Sequence, residues 1–286
     1  MRLGITLPQF RESAEPALAV ARRAEAAGLD GVFVFDHLWP LHQPERPALH
    51  SLTLLGALTA ETSRVTLGTF VARVSLLPDA VLVHTLASLH RMTERRRAQL
   101  DGGRSELSAA EGGTISGRRP MVEGRFVAGV GTGDRNNRDE NLAYGVGFPS
   151  AEARARQLVD CCRRLRELGV PTWVGGASDR ARQIAADEAD GWNGWGLSAA
   201  RFASFAAGMP CETTWGGQVL IGRAADQADE KLQRHGGRPG LIHGTVDDLR
   251  RHFLALKEAG ATWAVCSALD IGTDDEAVDL IAEARV

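Results

Sequence analysis

The chain has 286 residues, 44% hydrophobic and 24% charged, with a formal net charge of −3. That length can bury a sizeable core without disulfide staples, and that charge excludes a general attraction to nucleic acid or to anionic membranes. Cys161, Cys162, Cys211 and Cys266 have no metal-ligand or CxxC spacing, no apolar run is long enough to span a bilayer, and the first residues lack a secretory pattern. The expectation is a cytoplasmic protein with reduced thiols and no metal.

In chain order, strand and helix alternate. LGITLPQ, from Leu3, reads as a first strand, and an Ala-rich amphipathic helix follows over roughly Ala14 to Ala27, ending at Gly28. GVFVF (31–35) is apolar on both faces, as in a parallel strand covered by helices. LTLLGALTAETS reads as a second helix and VTLGTFVA, from Val65, as a third strand. Pro78 opens a third helix, PDAVLVHTLASLHRMTE, in the first-turn position that suits proline. FVAGVGTG, from Phe126, is a fourth strand, and DRNNRDEN after it reads as loop. Ser150 is the expected N-cap of a helix running to Leu168. PTWVGG, DRARQIAADEA and DGWNGW give a strand, a helix and a sixth strand; a helix over Ala199 to Ala207 follows. GQVLIG and ATWAVCS are the last two strands, with two helical stretches between them and a final helix over Asp274 to Arg285. Eight βα units in succession predict one α/β domain over residues 1–286, a (β/α)8 TIM barrel. A doubly wound sheet with fewer strands is the competing architecture.

One segment departs from the alternation. From Arg95 to Glu123 the chain is rich in Arg, Gly and Ser with little periodicity. It joins a helix to a strand, which in a barrel lies at the face opposite the active site, so a flexible insertion or an oligomer contact is expected there. The arginines Arg95 to Arg97 read as a solvated helix end.

In a barrel, polar groups at strand C-termini face the active-site mouth. They are Pro8-Gln9, Asp36-His37-Leu38-Trp39, Gly131-Thr132-Gly133-Asp134, Gly175-Gly176-Ala177-Ser178 and Asn193-Gly194-Trp195. GVGTGD misses a dinucleotide fingerprint by one position, because the third glycine falls at Asp134; close approach of backbone to a flat ligand explains it better. VGGASDRAR places a glycine pair before a helix start, with free N–H groups and the positive dipole end, which suits an anion such as a phosphate. A plain Gly-rich turn with a Ser cap is the simpler alternative. His37, His42 and His50 share a loop region without helical spacing or accompanying carboxylates, a poor metal set. Lys231 and Lys257 lie in helical patterns, so no Schiff-base lysine is expected.

GLDGVFVFDHLWP, VTLGTFVARVSLLPDAVLVHTLASLHRMTE, GRFVAGVGTGD, PTWVGGASDRARQIAADEADGWNGW and LIHGTVDDLRRHFLALKEAGATW together resemble the successive signatures of the luciferase-like monooxygenase superfamily, and most of all its branch that uses the deazaflavin coenzyme F420. The resemblance runs through nearly the whole chain outside residues 95–123. It implies a barrel that binds F420, or alternatively FMN, at its C-terminal mouth. It implies that Asp36 and His37 flank the ring, with His37 as the base and Asp134 as the acid. It implies a non-proline cis peptide behind the ring at Phe70–Val71, ring contacts from Gly131, Thr132 and Gly133, and a phosphate turn at Gly175, Gly176 and Ala177. Trp39 and Trp195 would wall a pocket for a small organic substrate. Asp134 is one methylene shorter than the glutamate of F420-dependent sugar-phosphate dehydrogenases, and Leu76-Leu77 stands where the family carries Arg or Tyr. Relatives imply a homodimer. A non-catalytic cofactor-binding barrel is the other function class.

Overall fold

A computed structural model describes residues 1–100, 124–273 and 275–286, with backbone alone for residues 96–100. Its strands are β1 (Arg2–Thr6), β2 (Gly31–Val34), β3 (Thr66–Thr69), β4 (Ala72–Arg73), β5 (Phe126–Gly131), β6 (Thr172–Gly175), β7 (Gly191–Trp195), β8 (Glu212–Gly222), β9 (Ile242–Thr245) and β10 (Trp263–Ala268). The helices are α1 (Glu15–Ala26), α2 (Ser51–Glu61), α3 (Asp79–Leu100), α4 (Arg138–Ala143), α5 (Ala151–Glu167), α6 (Asp179–Glu188), α7 (Ala199–Ala206), α8 (Ala225–His235), α9 (Val246–Glu258) and α10 (Glu276–Glu283). The strands run parallel in the order β10–β1–β2–β3–β5–β6–β7–β8, and β10 pairs again with β8, closing the barrel. The doubly wound alternative is thereby excluded.

Local chemistry starts the helices where the sequence expected. Ser150, Ser178, Ser198 and Thr245 each accept a hydrogen bond from a backbone N–H in the first turn that follows, a cap that contributes about 1 kcal/mol. Gly28 takes φ +79° as the chain leaves α1, a conformation that side-chain-bearing residues disfavour.

Four expectations need correction. DRNNRDEN is not loop: a 3₁₀ turn (Arg135–Asn137) leads directly into α4, and Asp134 caps it. Its carboxylate accepts from Asn136 N at 2.8 Å, while Asn137 Oδ1 accepts from Asp134 N at 2.8 Å. The helix is too short to show a period, and its buried side chains are the polar Glu140 and Asn141. α3 continues to Leu100, so Arg95–Arg97 lies within the helix and not at its end; the rest of the expected insertion, residues 101–123, lies outside the described residues. Two short strands were missed. β4 resumes pairing with β5 just after Phe70–Val71, and β9 lies along the upper end of β8. The long β8 allows this: Thr214–Val219 pair with β10, and Val219–Gly222 pair with β9.

Alternation along the strands sorts side chains into two regions. Leu3, Ile5, Val32, Val34, Leu67, Phe126, Ala128, Val174 and Ala264 pack outward against the helices. Phe33, Val127, Trp173, Trp263 and Val265 fill the interior with Phe70. Phe33 stacks on Trp173 at 5.7 Å, and Trp263 meets both rings edge-on at 5.8 and 5.6 Å. These rings fit because the facing strands carry glycine. A Cβ at Gly4, Gly31 or Gly68 would lie within 2.9 Å of the Phe33 ring, and one at Gly191 would lie 2.4 Å from Trp173. Glu212, also buried, accepts from Trp173 Nε1 at 3.1 Å and Thr262 Oγ1 at 2.9 Å. This floor of packed, buried rings sets the base of the mouth above.

Candidate active site

β2 leaves the core at Phe35, Asp36 and His37. Gln9, at the end of β1, extends the ladder by one rung with its side chain: its Oε1 accepts from Phe35 N at 2.7 Å and its Nε2 donates to Phe35 O at 2.8 Å. Gln9 is fully buried, so this fork fixes where His37 enters the mouth.

Below His37 lies a charged cluster that the sequence reading did not assemble. Arg73, on β4, donates from its backbone N and its Nε to Asp36 Oδ2 at 2.6 and 2.9 Å, and from Nη2 to Asp36 O at 3.1 Å. Its Nη1 lies 2.6 Å from Glu140 Oε2 and donates to Asn141 Oδ1 at 3.1 Å. Arg73 and Glu140 are each only 2% exposed and Asp36 8%. A charge this deep is tolerated only with close partners, and Arg73 has two carboxylates. Glu140 Oε1 accepts from Leu38 N, and from Trp39 N at 3.3 Å. Its Oε2 faces His37 Nδ1 at 3.3 Å. Burial pushes the Glu140 carboxyl up, but the His37 hydrogen bond and the Arg73 charge overcome it and hold the group down at about 2. Glu140 is therefore a permanent anion at neutral pH.

The predicted residues come together only in part. Trp195 closes over the mouth 5.8 Å from both Phe35 and Phe70, and Phe35 lies 6.4 Å from His37. Gly216 on β8 makes this wall possible, since a Cβ there would lie 2.6 Å from Phe70 and 2.9 Å from Trp195. Trp39 instead tilts against Tyr144 at 5.7 Å, beyond α4. Asp134 is exposed and occupied with its cap, and the carboxylate beside His37 is Glu140.

Phe70–Val71 is a cis peptide, as the resemblance implied. The glycines of β5 and β6 have a reason that the sequence did not show. A Cβ on Gly131 or Gly175 would lie 2.8 or 2.9 Å from the Val71 methyls, and one on Gly129 would lie 2.0 Å from Thr69 O. They give room to protein atoms, a requirement that stands beside the expected close approach of a flat ligand. Thr132 and Gly133 follow in a turn with Gly133 at φ +65°, and Thr132 O accepts from Arg154 Nε at 2.9 Å. In the next loop Gly176 takes φ +131° and its N–H is bound to Asn193 O, while Ser178 caps α6. Ala177 N and Ser178 N make no hydrogen bond among the described residues, so both N–H groups are available as donors.

Two further groups face the mouth. Gln218 shares the inward side of β8 with Gly216 and lies opposite Ser267 of β10, and among the described residues neither side chain has a hydrogen-bond partner. The every-second-residue pattern up β8, Glu212–Thr214–Gly216–Gln218, could have revealed the first. Among the described residues no three His, Cys, Asp or Glu gather for a metal, and the four cysteines are buried and not joined in disulfides. No described helix is long and apolar enough to cross a membrane.

Comparison with known proteins agrees with this geometry. The luciferase-like monooxygenase family model matches residues 1–112. An F420-dependent glucose-6-phosphate dehydrogenase of Nakamurella multipartita is 32% identical over 167 residues, 58% of this chain and 38% of that protein. The Beutenbergia cavernae enzyme of the same name is 41% identical over 176 residues, 61% of this chain and 42% of its own. The chain thus spans about two fifths of the length of these relatives. An F420-dependent secondary alcohol dehydrogenase, solved with an F420-acetone adduct, superposes with a TM-score of 0.72 at 15% identity, covering 99% of this chain and 98% of its own. The chain folds as a closed TIM barrel like this structure, and its residues 1–112 match the luciferase-like monooxygenase model, in line with the resemblance read from the motifs. Among its relatives and structural neighbours are F420-dependent oxidoreductases.

Proposed function

We propose that the chain is an F420-dependent oxidoreductase acting on a small organic substrate, an alcohol or its carbonyl counterpart. The observation that carries this reading is His37: its Nδ1 is engaged by a buried carboxylate while its Nε2 makes no hydrogen bond among the described residues. Phe35, Phe70 and Trp195 would present an aromatic wall to a flat ring. Gln218 and Ser267 offer hydrogen bonds to polar ring atoms, and Ala177 N and Ser178 N suit a phosphate. Bound F420 would supply a carbon that accepts or returns a hydride. The protein manages the proton: as the hydroxyl O–H breaks and the carbonyl forms, His37 Nε2 takes the proton, and it returns it in reduction. Trp195 and Phe35 shield the reacting carbon from water.

The names of the relatives favour sugar phosphates or secondary alcohols as substrates. FMN in the same mouth is the second reading, since the superposable structures include a riboflavin lyase with modified FMN. A homodimer fits the surface, since α2 shows Thr53, Ala57 and Ala60 outward and its neighbour α3 exposes Val81 and Met92, and a cytoplasmic location accords with the reduced thiols. The test is anaerobic mixing of protein, F420 and panels of secondary alcohols and sugar phosphates, following loss of the deazaflavin visible band. Substrate-dependent bleaching that His37→Ala abolishes supports the reading; bleaching that His37→Ala leaves intact removes His37 from it.

A further inference from the structure

We propose that Glu140, and not Asp134, is the positioning residue for His37: its carboxylate keeps the imidazole proton on Nδ1, so that Nε2 carries a lone pair into the mouth. This rests on the reading of His37 as the proton carrier. An ionised carboxylate only accepts hydrogen bonds, so the ring nitrogen facing it must be the protonated one. Glu140 cannot turn away. One oxygen is held by Leu38 N and Trp39 N and the other by Arg73 Nη1 and His37 Nδ1. Arg73 is itself fixed by Asp36 and Asn141. The charged groups around the ring are therefore Glu140 from α4, Arg73 from β4 and Asp36 from β2, with His50, at the start of α2, interacting with Asp36. With neutral His37 the three buried charges sum to one negative, so a proton arriving at Nε2 restores balance inside the cluster.

Asp134 lacks this relation. Its carboxylate is spent on Asn136 N at the start of the 3₁₀ turn, and it is exposed to water. Yet the turn it caps leads into α4 and so presents Glu140. Asp134 shapes the helix that delivers the carboxylate.

The experiment is long-range ¹H–¹⁵N correlation of ¹⁵N-histidine-labelled full-length protein near neutral pH, for wild type, Glu140→Gln, Glu140→Asp and Asp134→Asn, alongside F420 affinity and turnover with a secondary alcohol. The expected wild-type signal is Nδ1 protonated and Nε2 bare, unchanged in Asp134→Asn. In Glu140→Gln the amide offers a donor to Nδ1, so the proton moves to Nε2, and turnover falls about 100-fold with F420 affinity within about threefold. Glu140→Asp retains the wild-type tautomer and recovers part of the rate. An Nε2-protonated His37 in the wild type overturns the proposal without any variant having to fold. So does a tautomer indifferent to Glu140→Gln. Either result leaves the oxidoreductase reading standing if His37→Ala is still inactive, whereas an active His37→Ala defeats that reading first.

Discussion

Two buried glutamates, Glu212 and Glu140, lie at opposite ends of the same barrel and do different work. Glu212 is 5% exposed and is held by an indole N–H and a threonine hydroxyl. Its neighbours are the packed rings of Trp173 and Trp263. Glu140 is equally deep, but its partners include a guanidinium and an imidazole whose far nitrogen is unoccupied among the described residues. On the proposed reading, what separates a structural carboxylate from a functional one is not burial. It is whether the chain of hydrogen bonds ends in packed protein or at an open mouth.

That contrast can be broken from the floor first. Trp173→Ala removes the central ring and a partner of Glu212, and should destabilise the fold by about 3–5 kcal/mol, read as a lower urea midpoint. Gly191→Ala forces a methyl to 2.4 Å from the same ring and should cost about 1–3 kcal/mol. Neither should change the protonation pattern of His37; if one does, floor and mouth are a single unit and the contrast fails. At the mouth, His37→Ala should lower turnover by about 100-fold or more, while thermal unfolding and F420 affinity stay near wild type.

The pH response sharpens the comparison. Glu140 is held at about 2, below an ordinary value of 4.5. A depressed carboxylate contributes stability that is fully present above about 4.5 and lost as pH falls toward about 2. Glu140→Gln should therefore be less stable than wild type at neutral pH, and the gap should narrow across that acid window, as followed by urea unfolding at successive pH values. A gap that stays constant down to acid pH would contradict the pairing. Asp134→Asn should have the smallest effect, because asparagine also caps: under about 1 kcal/mol and under threefold in rate. A large rate loss there would return the acid role to Asp134.

Much of this was legible in the sequence, for physical reasons. Apolar runs such as GVFVF end where the barrel opens, so DH at the end of β2 announced His37. The glycine pair before DRARQIAADEA marked the α6 turn, where Gly176 takes a φ of +131° that other residues resist and Gly175 leaves room for Val71. What was not legible was partnership. Arg73 sits in the apolar run FVARVSLL, and a charge inside such a run demands a buried counter-charge, a signal passed over. Glu140 lies in a polar stretch with no period, so nothing local separated it from the exposed Asp139 beside it. Asp134 stood nearer a recognisable motif, whereas the carboxylate that lies 3.3 Å from His37 is Glu140. The glycines of GVGTG were read as making room for a ligand, and the sequence could not show that the atoms nearest the missing Cβ of Gly129 and Gly131 belong to Thr69 and Val71 and those nearest Gly133 to Asn137 and Arg73.

The most direct test of the central claim is a parallel titration of the wild-type protein and Trp195→Phe with F420 and with FMN, following tryptophan fluorescence. The account predicts saturable quenching by F420 at micromolar or lower concentration, much weaker binding of FMN, and a response reduced in Trp195→Phe. Tight FMN binding with none of F420 would move the barrel to flavin chemistry, and silence with both would contradict the assignment of this mouth to a deazaflavin.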